Sequence, residues 1–159
     1  MTVLPRPRRP LDLDRRWRPR AYPAVPAAIG IARADLRADL ALVVGAGAEL
    51  VAAMVLCASE MFADTVDRAL SLGEPEDVVR TLALRHPAEG GRVLRLSVAE
   101  REAARAVAGV PCADDWGEVV RGQGLVLVDH FADRWGTRRT ASSSGVCGGV
   151  IWAEFDLPR

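Results

Sequence analysis

The sequence predicts an α+β fold of two layers, an α/β sandwich with helices on one face of a mixed or antiparallel sheet. Three features predict it. Two helix-periodic stretches come first, and strand-like runs then follow in neighbouring pairs. The joints within those pairs are short, which favours antiparallel or mixed pairing with the helices gathered on one side.

Residues 1–26 hold six of the ten prolines and seven of the 21 arginines, with almost no apolar periodicity. Such a segment buries too little surface to offset its ordering entropy and is expected to be a disordered tail, with room for a short strand near Ala21-Tyr22-Pro23. The domain proper is expected over residues 27–159. Residues 27–44 read as a helix, with Ile29, Ala32, Leu36, Leu40 and Val43 on one stripe. Residues 48–70 read as a longer helix, apolar on most sides and therefore central.

After Gly73-Glu74-Pro75, two strands are expected at 78–86 and 92–99, joined through Glu89-Gly90-Gly91. Residues 101–121 are small, charged and weakly patterned, the length of a flap. A short helix at 124–132 precedes strands at 134–140 and 146–157, which flank a turn at Ser142-Ser143-Ser144. Trp135 and Trp152 fall on these strands and are expected to pack the sheet.

Composition narrows the function. Half the 159 residues are apolar and the formal net charge is zero, so the whole molecule has no bias toward nucleic acid or membrane. The arginine cluster in the first twenty positions reads as a solvated tail, with contact to nucleic acid or an acidic partner as the alternative. Cys57, Cys112 and Cys147 are widely spaced and the two histidines stand alone, which argues against zinc and fits a reducing cytosol. The apolar run 40–59 is interrupted by Gly45-Ala46-Gly47 and carries Glu49, so it reads as helix, turn and buried helix, not a membrane span.

Two features can carry chemistry. Glu49, Glu60, Asp64 and Asp67 return to one side of the long helix. Glu60 and Asp64, one turn apart, suit a proton acceptor and a magnesium ligand; a solvated helix edge is the competing explanation. Gly122-Gln123-Gly124-Leu125 opens the next helix, where glycines and helix-start N–H groups suit a phosphate; a tight turn explains them equally. His130 reads as a helix-surface residue, since no nucleophile accompanies it.

Taken in order, these residues resemble a known family. Ser59-Glu60-Met61-Phe62-Ala63-Asp64-Thr65-Val66 is similar to the N-box of the GHKL ATPases, and residues 122–129 with 132–136 resemble the G2 box of the anti-sigma-factor serine kinase branch. The last strand, residues 150–158, is similar to that branch too. The resemblance spans about residues 22–158 and implies a Bergerat-type sandwich with ATP and Mg2+ held between helices and sheet. By position it implies Glu60 as general base, Asp64 as magnesium ligand and Glu100 as the acid that receives the adenine amino group. It places Gly122 and Gly124 beside the phosphates, with Leu125 in the same nucleotide-binding turn. It further implies a cytoplasmic transcription regulator that phosphorylates a serine of an antagonist, contacts a sigma factor or anti-sigma antagonist, and forms a homodimer.

The sequence departs from that pattern at several points. Asp64 replaces Asn, Glu100 replaces Asp, Glu102 stands at an expected glycine, and Gly148-Gly149-Val150 stands where a Gly-Lys-Thr-like triplet is common. These changes add negative charge near the triphosphate and remove room and polar groups near adenine. The alternative expectation is therefore a non-enzymatic scaffold that binds a regulatory partner without nucleotide.

Overall fold

The computed structural model describes residues 14–71, 73, 76–101, 103–104, 125–141 and 147–158. The described elements run β1 (Arg15–Arg16), β2 (Arg20–Tyr22), α1 (Ala28–Leu40), α2 (Ala48–Ser71), β3 (Val78–Arg85), β4 (Arg92–Glu100), α3 (Val126–Phe131), β5 (Arg134–Ala141) and β6 (Cys147–Leu157). They form the expected two-layer α+β sandwich. The sheet order is β1-β3-β4-β6-β5, with β2 also on β3, and every described pairing is antiparallel.

Period-two alternation decides which sheet face meets the helices. Leu94, Leu96 and Val98 of β4 lie opposite Phe155, Ala153 and Ile151 of β6, and all six are buried in one core. The alternate residues of the same strands, Arg95, Ser97, Trp152, Glu154 and Asp156, point to the other face. On the helix side, Ala28, Ala32, Leu36 and Leu40 recur at the predicted spacing along α1. The buried residues of α2, from Met54 and Val55 through Met61, Phe62 and Val66 to Ala69, run along most of its length. That breadth fits a helix packed on α1, α3 and the sheet together. The β3–β4 hairpin turns through Gly90 at φ 92° and Gly91 at φ 90°, left-handed backbone that a side chain rarely adopts.

The chain before residue 27 contributes more to this body than its composition suggests. Both β1 and β2 pair with β3, and Tyr22 and Ala24 are core residues. The physical reason is a polar clasp that a proline count does not reveal. The Tyr22 hydroxyl donates to Asp35 Oδ2 at 2.8 Å, and its ring meets Phe62 edge-on at 5.4 Å. Arg20 reaches Asp35 at 3.4 Å and Asp39 at 3.3 Å. Asp39 also accepts a hydrogen bond from Arg80, whose side chain on β3 is only 1% exposed. Burial, followed by the bond to Asp35, raises the Tyr22 pKa above its ordinary value. Residues 1–13, with Arg6, Arg8 and Arg9 of the arginine cluster, lie outside the described residues.

No described helix is long and apolar enough to cross a membrane. The stretch at 40–59 is the end of α1, a turn and the first half of α2. Arg92 holds that turn down by donating to Val44 O at 2.7 Å and Pro158 O at 3.5 Å.

Candidate functional site

Glu60, Asp64 and Arg68 stand one turn apart along α2, so they share one side of the helix. Their neighbours are tied down. Ser59 Oγ donates to Val55 O at 2.9 Å, and the buried Thr65 Oγ1 to Met61 O at 2.8 Å. Both hydroxyls are spent on the helix itself, which leaves the acids and Arg68 as the polar groups of this side.

Arg68 is the residue the sequence reading missed. Its guanidinium bridges two of the acids expected at the site: Nη2 lies 3.5 Å from Asp64 Oδ2, and Nε donates to Glu100 Oε1 at 3.1 Å. Glu100, at the end of β4, turns its second oxygen to the backbone N–H of Gly149 at the start of β6. The result is a chain from α2 to β4 to β6, Asp64–Arg68–Glu100–Gly149. A signal for it was present, because Asp64 and Arg68 are four residues apart, the spacing of a helical ion pair.

The same network fills the space beside β6. A Cβ added to Gly149 would sit 2.8 Å from Arg68 Nη1, and one added to Gly148 would sit 3.0 Å from Glu100 Oε2. The glycines of Gly148-Gly149-Val150 are thus matched to Arg68 and Glu100: small residues on β6 make room for a large cation from α2. A purine amino group approaching Glu100 would meet a carboxylate with both oxygens engaged.

Glu60 is placed differently. It is half-buried and makes no hydrogen bond or ion pair among the described residues. One turn back, Cys57 is a buried free thiol that donates weakly to Leu127 O, 3.9 Å away on α3. Burial, reinforced by the Glu60 charge, pushes the Cys57 thiol up to about 12. An inert core cysteine is the consequence.

α3 packs directly on α2, with Leu125 and Val128 in the shared core. The contact runs along the apolar face of α2, with Cys57, three residues before Glu60, touching Leu127 O. Leu125 is a buried packing residue at that junction; Gly122 and Gly124 lie outside the described residues, as do Glu102 and most of 101–121. Asp129 on α3 accepts a hydrogen bond from Trp135 Nε1 at 2.8 Å, which fixes α3 to β5. His130 is exposed and stacks edge-on with Phe131 at 4.8 Å. No group of three or more His, Cys, Asp or Glu side chains is placed to hold a metal among the described residues. Asp64, the expected magnesium ligand, lies 3.5 Å from Arg68.

The fold has a solved counterpart. A chain in the crystal structure of the SiaB-SiaC complex from Pseudomonas aeruginosa superposes with a TM-score of 0.56 at 16% identity, over 89% of this chain and 91% of that one. At that identity the likeness concerns the fold. No family model and no curated protein matches the chain.

Proposed function

We propose that this chain is a regulatory protein of the anti-sigma-kinase-like type that acts by binding a protein partner, with a nucleotide site too altered to hold ATP well. One observation carries the reading: Arg68 and the Gly149 N–H occupy both oxygens of Glu100, the acid assigned to adenine. A carboxylate already satisfied by a cation and a backbone donor gains little from a further amino group, and displacing Arg68 would leave a nearly buried charge unpaired. The likeness to a chain of a solved protein–protein complex supports partner binding as the activity that this fold retains. By the sequence resemblance, the partner is a sigma factor or an anti-sigma antagonist, met in the cytoplasm and with the regulator as a homodimer.

The test is thermal unfolding with and without millimolar ATP and Mg2+. A site filled at about 100 times its dissociation constant adds about 2.7 kcal/mol, several degrees for a domain of this size. The expected result is no shift; a saturable rise of several degrees would overturn the proposal.

A second reading, an active protein-serine kinase, is favoured by one feature. Glu60 is a half-buried carboxylate without a hydrogen bond or ion pair among the described residues, three residues from the Cys57 that touches α3, and so is available to take a proton. Under it, Glu60→Ala abolishes phosphate transfer to a partner serine and disrupts regulation in the cell. Under the first reading, Glu60→Ala leaves regulation unchanged.

A further inference from the structure

The helix-free face of the sheet carries a second concentration of chemistry. A groove of about 900 Å3 runs across β3, β4, β5 and β6 and the turn that joins β3 to β4. No described helix packs over it. Within it Glu154, only 8% exposed, gathers an arginine from each strand beside β6, Arg95 at 3.0 Å and Arg134 at 2.9 Å, and a third from β3 beyond, Arg85 at 3.4 Å. The register explains the convergence, since Arg95 and Arg134 both lie directly opposite Glu154. Trp152, two residues earlier on the same face, lies flat on Gly136, where an added Cβ would come within 2.9 Å of its ring. The Arg95 guanidinium sits 4.4 Å from the centre of that ring.

We propose that this groove is the docking surface for a partner-protein segment that carries carboxylates beside an apolar side chain. The inference rests on the partner-binding reading above and names the surface and the chemistry it takes. Arginine and tryptophan are the residues that most often dominate protein interfaces. Here a nearly buried carboxylate holds the guanidiniums in place, so little rotamer freedom remains to be lost on binding. Their outer parts stay accessible: the side chains of Arg85 and Arg134 are 41% and 48% exposed. Four arginines (85, 92, 95, 134) line the groove against Glu89, Glu154 and Asp156, an excess of one positive charge. That mixture discriminates between anions. A nucleic-acid backbone would press successive phosphates onto the exposed Asp156 and Glu89, whereas a protein segment can place its few carboxylates at the guanidiniums and an apolar group on Trp152.

The test is selection of a random twelve-residue peptide library on the full chain, followed by affinity measurement with the winning peptides. Enriched sequences are expected to pair Asp or Glu with Leu, Phe or Trp. Arg85→Glu should weaken them by about tenfold and Glu89→Arg, on the exposed turn, should tighten them by about threefold. Selected peptides indifferent to both substitutions would overturn the groove while leaving partner binding intact. Failure to select any peptide would overturn the groove as well, and joined to an ATP-dependent thermal shift would also remove the reading beneath it. Competition by a 20-base-pair duplex at physiological salt, lost in Arg85→Glu, would overturn it in favour of nucleic acid.

Discussion

At the scale of single residues, the decisive side chain is Arg68. It neutralises Asp64 and Glu100 and fills the volume that Gly149 leaves open. Arg68→Ala should cost about 1–3 kcal/mol in urea denaturation, because Glu100 would keep its Gly149 N–H but lose its cation in a nearly buried position. Lowering the pH is no substitute for this test; the substitution isolates the pair. Cys57 offers a residue-scale pH prediction. Its thiol is raised to about 12 in the fold, so the unfolded chain releases the proton first as pH rises. The sign follows: the folded state loses stability between about pH 9 and the folded value, and keeps it below. Wild type should therefore fall in stability more steeply than Cys57→Ala across pH 9 to 11, and Cys57 should resist alkylation at pH 8 until the chain is denatured.

At the scale of elements, β5 and β6 depend on a glycine. Gly136 lies opposite Trp152, and the ring occupies the space a side chain would need. Gly136→Val should destabilise the protein by about 1–3 kcal/mol, the usual cost of overpacking, and should shift tryptophan fluorescence as the ring is displaced. The ring also supports Arg95, so the substitution loosens the arginine cluster on Glu154. A Gly136→Ala variant should show the same change in smaller measure. Strand positions and helix positions were legible in the sequence to within a few residues, since periods of two and of nearly four are local properties. The trio around Glu154 was not, because it needs the register of four strands at once.

At the scale of the molecule, two polar clasps join the layers, Arg20–Asp39–Arg80 on β3 and Asp64–Arg68–Glu100 on the neighbouring β4. Arg80 is almost wholly enclosed, and its Nε and Nη1 find no hydrogen-bond partner among the described residues. Removing its carboxylate is therefore costly: Asp39→Ala should destabilise the domain by about 3–5 kcal/mol, whereas the double replacement Asp39→Leu with Arg80→Met should cost much less. Chemical denaturation of the three proteins decides it. A large loss in the double variant would mean that the clasp acts by geometry that apolar packing cannot replace.

The sequence by itself determined the layer architecture, the antiparallel tendency of the sheet and the acids along α2, because hydrophobic period and short joints are written in neighbouring residues. Only the tertiary structure decided what those acids face. Glu100 and Gly149 are 49 residues apart in the chain and meet Arg68 through sheet pairing and helix packing. Whether a carboxylate awaits a ligand or already holds a cation depends on contacts between elements, and no local pattern encodes that.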